Sequence, residues 1–355
     1  MDIRNFIYQG SPARIVFGAG ALERVAEVVQ ALDCRHALVL STPQQAEDAG
    51  RLSGALGALS AGVFAKAAMH TPVEITEQAL EAMQAAGADC TVAFGGGSTV
   101  GLGKAIAYRL DTPQIAIPTT YAGSEATPIL GQTQNGEKTT VRDGSILPEA
   151  IIYDPELSLG LPYQMTVTSG LNAMAHAAEA LYAKDRNPIS TLMAVEGLRA
   201  FTGALPVLKG APRDMTARGD ALYGAWLCGT VLGSVGMSLH HKLCHVLGGS
   251  FDLPHAETHA IILPHAIGFN EAVASEELRP IAEMLGHGSA GAGLYDFARK
   301  LGAPVALRDI GMAEADLPRA AMIATRNAYW NPREIDRDQI LALLGAAWRG
   351  ERPQG

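Results

Sequence analysis

Positive charge is scarce in this sequence. The 355 residues include 27 Lys and Arg against 36 Asp and Glu, which gives a formal net charge of −9 at pH 7. Nucleic-acid-binding proteins carry a basic surface that faces the phosphate backbone, so this balance argues against a nucleic-acid partner. An anionic ligand has to be held by local cationic groups against the field of the whole chain.

Cysteine is also rare, and its spacing excludes a disulfide framework. The four cysteines are scattered without a CxxC pair, at Cys34, Cys90, Cys228 and Cys244. Reduced, scattered thiols are typical of a reducing compartment. The first residues lack the basic and apolar segments of a secretory signal, so we expect a cytoplasmic protein.

Long uncharged runs are few, and one of them is long enough to be a candidate membrane span. Residues 221–239 contain no charged side chain, but they include four glycines and several hydroxyl residues and lead directly into a histidine cluster. This pattern favours a buried helix in a helical bundle over a membrane-spanning one. We therefore expect no membrane partner.

The two halves of the chain have different patterns. Up to about residue 160, short apolar runs alternate with helical periodicity, which predicts a parallel sheet covered on both faces. The predicted strands are 13–17, 36–40, 61–65, 90–94, 114–117 and 150–153, and a helix is predicted at 73–86. Four long helical stretches follow, at 163–183, 189–206, 214–247 and 256–286. We predict an α/β dinucleotide-binding domain over 1–161 and an all-helical domain over 162–355, with the active site in the cleft between them.

A glycine-rich turn marks the candidate phosphate site. Gly95, Gly96, Gly97 and Ser98 follow a buried strand and open a helix, where backbone N–H groups can approach a pyrophosphate and Ser98 can cap the helix. The turn is not a GxGxxG fingerprint, and a tight strand-to-helix turn without a ligand is the alternative. Hydroxyl residues Thr119 and Thr120 follow the next strand at the same edge.

Ser41 and Thr42 follow the strand predicted at 36–40, at a position where the residue type affects whether NADH or NADPH can bind. In an NAD-specific enzyme a carboxylate commonly bonds the adenosine ribose at such a strand end. Hydroxyl groups stand here instead, and they would not repel a 2′-phosphate. We therefore predict that NADPH is accepted beside NADH.

Histidines are concentrated in one part of the second half. His241 and His245 lie four residues apart on one helical face, a pair of glycines is predicted to end their helix, and His255 begins the next. Asn172 and His176 form a second pair with the same spacing. Three imidazoles can bind a divalent metal, and hydrogen-bonded core histidines are the alternative.

Together these motifs resemble the iron-containing (group III) alcohol dehydrogenase family, through nearly the whole chain. The resemblance rests on Gly95–Ser98 with Lys104, on Pro118-Thr119-Thr120, on Asp154-Pro155-Glu156-Leu157, on the spacing of His176, His241, His245 and His255, and on Asn331-Pro332-Arg333. It implies the two-domain architecture shared with dehydroquinate synthase, a nicotinamide cofactor (NADH or NADPH) and a homodimer. It also adds Thr127 and Lys138 to the cofactor-binding residues.

Within the family, the runs at 95–104 and 118–125 resemble the maleylacetate reductase branch. That branch reduces the carbon–carbon double bond of maleylacetate to 3-oxoadipate in the bacterial degradation of aromatic compounds. The resemblance implies the same reaction here, with substituted maleylacetates as further substrates. Metal-dependent members carry Asp where this chain has Asn172, and the family's usual Asp at the position of Gly101 is also missing. An amide oxygen is a poorer ligand than a carboxylate, so we predict catalysis without a metal.

Reduction of a conjugated double bond produces an enolate, which hydrogen bonds or an imidazolium can stabilise in place of a metal. We predict His241 and His245 as the catalytic residues beside the reacting carbons, with Tyr121 as a second candidate acid. The remaining candidates would bind a small dicarboxylate substrate: His176, His255, Asn172, Lys242 and Arg326. Three alternatives remain: a metal-dependent alcohol or polyol dehydrogenase, a lyase resembling dehydroquinate synthase, and a non-catalytic binding protein.

Overall fold

The computed structural model describes residues 5–134, 137–327 and 329–354, without the side chains of residues 137 and 138. It divides into two compact units, Gly10–Leu161 and Pro162–Gly355, the second joined by the N-terminal residues up to Gln9. The predicted order of an α/β half followed by an all-helical half is confirmed.

The first unit contains a six-stranded parallel sheet and a short antiparallel hairpin. The strands are β1 (Arg14–Phe17), β2 (Ala37–Leu40), β3 (Ser60–Phe64), β4 (Cys90–Gly95), β5 (Gln114–Pro118), β6 (Ile129–Gln134), β7 (Glu137–Arg142) and β8 (Ala150–Tyr153). The helices are α1 (Val25–Ala31), α2 (Ala46–Leu56), α3 (Val73–Ala86) and α4 (Gly97–Leu110). The sheet order is β1-β8-β5-β4-β2-β3, and β6 pairs with β7.

Both faces of the sheet are covered, as the alternation within β2 shows. Ala37 and Val39 pack into the core formed with α1 and α2. Leu38 and Leu40 point to the opposite face and pack with Met83 of α3 and Ile106 of α4. Successive side chains of a strand face opposite sides, so a fully apolar strand is stable only between two helical layers.

The second unit consists of helices among the residues that the structure describes. They are α5 (Tyr163–Ala180), α6 (Pro188–Gly210), α7 (Met215–Ser234), α8 (Leu239–Phe251), α9 (His255–Met284), α10 (Ala290–Leu301), α11 (Leu317–Thr325) and α12 (Arg337–Arg349). Helix α9 is kinked at Ala274, whose backbone is not helical. Helices α8, α9, α11 and α12 share one apolar core.

Two details of the sequence prediction for this unit were wrong. The stretch 214–247 is two helices rather than one, because Val235 takes an extended conformation that ends α7. Gly248 and Gly249 do not end α8, which continues to Phe251 and stops at Asp252 in the left-handed conformation. A residue with positive φ ends a helix as glycine often does, and here an aspartate takes that place.

The uncharged run predicted to be a core helix is buried by protein contacts over most of Ala221–Val231. By length and hydropathy, α6 would suffice to span a membrane, and α7 with α8 would do so jointly across a bend of 96°. Helix α6 packs against α5 and α7. Buried core helices can have the same length and hydropathy, so these segments are weak evidence for a membrane span.

Candidate active site

The α/β unit has a topological switch point between β2 and β4. Both strands pair directly, but the chain leaves β2 toward β3 on one side and leaves β4 toward β5 on the other. Ligands of open α/β sheets bind outside the carboxyl ends of the strands at such a point. Ser41 and Thr42 follow β2, and Gly96 and Gly97 follow β4, so the fold brings these predicted cofactor residues to one edge.

The glycines of this turn are required by close packing. Gly95 has a φ of +152°, and a Cβ there would lie 2.5 Å from the Thr99 hydroxyl and 2.8 Å from the Gln45 side-chain oxygen. A Cβ on Gly96 would lie 2.9 Å from Thr120 Cγ2. Helix α4 is capped by Gly96, so the expectation that Ser98 caps it was wrong, and Ser98 lies in its first turn.

The hydroxyl residues after β5 are partly engaged within the unit. Thr119 donates its backbone N–H to Gly95 O (3.1 Å) and accepts from the Gln45 side chain at 3.2 Å. Tyr121 is fully buried, and its hydroxyl donates to Ser158 Oγ at 3.1 Å. This hydrogen bond gives the phenol a structural partner in its own unit, and a role for Tyr121 as an acid stays a prediction.

Lys104 is a buried structural cation that the sequence analysis identified only as part of a motif. Its ammonium donates to the carbonyls of Ser124, Thr127 and Ile129 and to the Thr127 hydroxyl. Burial lowers the pKa of Lys104 to about 7 and raises that of Glu125. Lys104 thereby attaches α4 to the segment that carries Thr127.

Gly101 and Lys138 are two further positions of the α/β unit that the sequence analysis named. A Cβ on Gly101 would collide with the Thr71 hydroxyl, which explains the glycine there. The backbone of Lys138 pairs with Thr133 in the β6–β7 hairpin, but its side chain lies outside the described part of the chain. Its proposed contact with the cofactor stays a prediction.

In the helical unit, α5, α8 and α9 bring six histidine rings together. Contacting rings have centroids between 4.4 and 6.2 Å apart. The members are His176, His240, His241, His245, His255 and His259. We call this set the histidine cluster. His240 and His259 are fully buried, His176 and His241 nearly so, while His245 and His255 are exposed. Solvent therefore reaches the cluster at His245 and His255.

No role was predicted from the sequence for His240 or His259. They form an inner pair in which His240 Nε2 lies 3.0 Å from His259 Nδ1. Burial lowers the pKa of His240 to about 3 and that of His259 well below its usual value, so both rings are neutral. Their remaining nitrogens, His240 Nδ1 and His259 Nε2, are buried and have no hydrogen-bond partner among the described residues. The spacing of His259, four residues after His255, was the available signal.

Glu179, one helical turn after His176, is a further residue for which no role was predicted from the sequence. Its buried carboxylate accepts from the backbone N–H of Ser238 (3.0 Å) and of His240 (2.7 Å) and from His241 Nδ1 (2.7 Å). Burial alone would raise the pKa of this carboxyl, but hydrogen bonding and charge from His241 outweigh it and lower the pKa to about 2. Its position one helical turn after His176 was the signal.

His176 and His241 form a second hydrogen-bonded pair. His176 Nδ1 and His241 Nε2 are 2.9 Å apart. Because His241 Nδ1 faces Glu179, the carboxylate and the two rings form a ladder from α5 to α8 and back to α5. Both rings were predicted site residues, and the structure places them together.

The donor set does not fit the metal that the family resemblance implies. Asn172 Oδ1 is buried and, within the described residues, has no hydrogen-bond partner, but it is a neutral oxygen. Among the residues that the structure describes, His176, His241 and His255 do not form a group whose donor atoms all lie within 4.8 Å of one another. A bound cation requires ligand atoms that converge on one point, and these three do not.

Histidine and cysteine donors do converge deeper in the same unit. His240, Cys244 and His259 form such a group, but the donor atoms already contact one another, with Cys244 Sγ 3.6 Å from His240 Nε2. Burial raises the pKa of the Cys244 thiol well above its usual value. The group is therefore a neutral, hydrogen-bonded part of the core.

The two predicted cationic substrate residues have different surroundings. Lys242 is half-buried, and its ammonium lies 5.5 Å from the centre of the Tyr329 ring. The Tyr329 hydroxyl is buried and has no hydrogen-bond partner within the part of the chain that the structure describes. Arg326 is exposed, and its guanidinium contacts Met322 Sδ at 3.4 Å. Of the two, Lys242 has the more enclosed position.

Comparison with known proteins matches one family over nearly the whole chain. The model of the iron-containing alcohol dehydrogenase family matches residues 12–155, and that of the family's C-terminal part matches residues 166–348. A maleylacetate reductase of a Rhizobium strain is 62% identical, over 98% of this chain and 99% of the relative. A maleylacetate reductase from Burkholderia cepacia is 55% identical, also over 98% of this chain and 99% of the relative.

A solved structure extends the likeness to three dimensions. The crystal structure of maleylacetate reductase from Agrobacterium tumefaciens is 63% identical and matches with a TM-score of 0.97. The match covers 99% of this chain and 100% of that one. The chain belongs to the iron-containing alcohol dehydrogenase family.

Proposed function

We propose that this chain is an oxidoreductase that reduces the carbon–carbon double bond of maleylacetate, giving 3-oxoadipate, with NADH or NADPH as the hydride donor. The observation that carries the proposal is its full-length likeness to proteins named maleylacetate reductase, at 62% identity. The four buried free cysteines agree with a cytoplasmic enzyme.

The switch-point edge of the α/β unit is the proposed nucleotide site. A bound nicotinamide nucleotide would supply a hydride there. The glycine turn lets backbone N–H groups at the start of α4 approach the pyrophosphate without side chains in the way. The proposed nucleotide-binding residues are Ser41, Thr42, Gly95, Gly96, Gly97, Ser98, Thr119, Thr120, Thr127 and Lys138.

The histidine cluster is the proposed site of substrate reduction. When a hydride bonds to one alkene carbon, the π electrons move into the enolate of the conjugated ketone, and a proton completes the neighbouring carbon. His241 or His245 stabilises that charge or supplies the proton. His176, His255 and Asn172 orient the diacid, and Lys242 offers a fixed positive charge. No step needs a metal, because the charge is spread over a hydrogen-bonded enolate.

The test follows NADH absorbance with maleylacetate, with and without exhaustive chelation, beside a simple alcohol and an aldehyde. We expect maleylacetate turnover that survives chelation, and no comparable turnover of the controls. Loss of activity on chelation, restored by Zn²⁺ or Fe²⁺, would instead indicate the metal-dependent alcohol or polyol dehydrogenase.

A pair of histidine variants localises the chemistry. His241→Ala is expected to lower kcat by about 10²–10⁴-fold, the usual contribution of an acid–base group, with the NADH dissociation constant little changed. His36→Ala is the matched control, because His36 is exposed on the other unit. Equal effects of the two substitutions would contradict the assignment.

A further inference from the structure

The Glu179 carboxylate is surrounded by hydrogen-bond donors. The carboxylate is fully buried in α5. It accepts from the backbone N–H and the hydroxyl of Ser238, from the backbone N–H of His240 and from His241 Nδ1, all at 2.7–3.0 Å. An ionised carboxylate only accepts hydrogen bonds. His241 Nδ1 must therefore carry a hydrogen.

This hydrogen determines the direction of the next bond. With Nδ1 protonated, a neutral His241 has its lone pair on Nε2, which lies 2.9 Å from His176 Nδ1. That contact is a hydrogen bond only if His176 Nδ1 donates. Both hydrogen bonds between the side chains of the ladder then point toward Glu179.

We infer that Glu179 is a positioning residue that fixes the tautomer and ring orientation of His241, with the hydrogen on Nδ1 and the lone pair of Nε2 facing His176 Nδ1. The inference rests on the proposed function and deepens it, since it says which residue holds the predicted catalytic His241 in its working tautomer.

The tautomer of His241 can be measured in the unmodified enzyme. Long-range ¹⁵N–¹H spectra of histidine-labelled protein, assigned with His241→Gln, distinguish a protonated Nδ1 from a protonated Nε2. We expect Nδ1–H in the absence of substrate. Finding Nε2–H would overturn the inference, and this measurement does not depend on any variant that fails to fold or on the identity of the substrate.

Glu179→Gln is the matching variant. The amide replaces one acceptor oxygen by a donor, so that either His241 must present a lone pair at Nδ1 or a backbone N–H of α8 loses its acceptor. We expect kcat to fall by about 10²–10⁴-fold, as when a carboxylate that orients a catalytic imidazole becomes an amide. The NADH dissociation constant should change less than about threefold, since cofactor binding does not depend on this tautomer.

Tyr182→Phe is the control at the same carboxylate. The Tyr182 hydroxyl lies 3.3 Å from a Glu179 oxygen, and its removal leaves the acceptor intact. We expect kcat within about threefold of the parent, the size of effect of a weak neutral hydrogen bond. The inference fails if folded Glu179→Gln keeps its kcat, or if it loses activity while His241 remains Nδ1–H. Failure of the parent enzyme to reduce maleylacetate would instead refute the proposed function alone.

Discussion

Asn172 shows at the scale of one residue how a site can be prepared for a ligand. Its carbonyl oxygen is buried and accepts from no donor in the described part of the chain. Leaving a buried polar atom unpaired costs about 1–3 kcal/mol. Among the described residues, His240 Nδ1 and His259 Nε2 in the histidine cluster share this condition. A polar ligand that paired with the Asn172 oxygen would recover this free energy.

The nucleotide preference is also decided by single residues. Thr42 follows β2 and is half-buried. Thr42→Asp would place a negative charge beside a 2′-phosphate, so we expect the KM for NADPH to rise at least about tenfold by like-charge repulsion. The KM for NADH should change less than about threefold, as measured by steady-state kinetics with each nucleotide.

Thr42→Asn is the control for shape, because it has the size of aspartate without the charge. It should leave the ratio of the two KM values within about twofold of the parent, since no charge is added. A parent enzyme that strongly prefers NADH would contradict the premise that this strand end tolerates a 2′-phosphate.

At the scale of an element, the turn from β4 into α4 depends on space. A Cβ on Gly96 would lie 2.9 Å from Thr120 Cγ2 and 3.2 Å from its hydroxyl oxygen. Gly96→Ala must therefore displace Thr120, and we expect the NADH dissociation constant to rise about tenfold, equivalent to about 1.4 kcal/mol. Fluorescence titration of NADH measures it.

A second substitution separates crowding from other effects of the alanine. Thr120→Ser removes Cγ2 but keeps the hydroxyl, so the double variant Gly96→Ala with Thr120→Ser should recover most of the affinity. If the double variant binds NADH as weakly as Gly96→Ala alone, the methyl contact is not the cause.

At the scale of the whole molecule, buried histidines make the fold sensitive to acid. His265 in α9 is nearly fully buried, and burial lowers its pKa to about 4. Below the ordinary pKa of 6.5 the unfolded chain binds a proton that the folded chain does not. Stability contributed by the neutral ring is therefore present above pH 6.5 and is lost as the pH falls from 6.5 toward 4.

His265→Gln tests this away from the histidine cluster. Over the part of the window between pH 6.5 and 5, His265 should account for about 2 kcal/mol of lost stability. Denaturant unfolding at pH 7 and pH 5 should accordingly show a smaller loss in the variant than in the parent. Equal losses in both proteins would show that His265 does not titrate in this way.

Local patterns were sufficient for much of the fold. Helix 73–86 and strand 150–153 were predicted with the bounds that the structure has, because apolar periodicity and flanking proline or glycine are properties of neighbouring residues. The break between α7 and α8 was not predicted. It depends on Val235 and the following residues, where Gly236 donates its N–H to Asp185 from a distant part of the chain.

The sequence by itself determined the two-part architecture, the glycine turn at the candidate nucleotide site and the four histidines spaced along α5, α8 and α9, because these follow from spacing and residue type. Only the tertiary structure decided that Glu179 contacts Ser238 and His241, about sixty residues away, and that Lys104 is a structural cation. Hydrogen bonds between distant segments depend on how helices pack, and no local periodicity records which polar side chains are enclosed together.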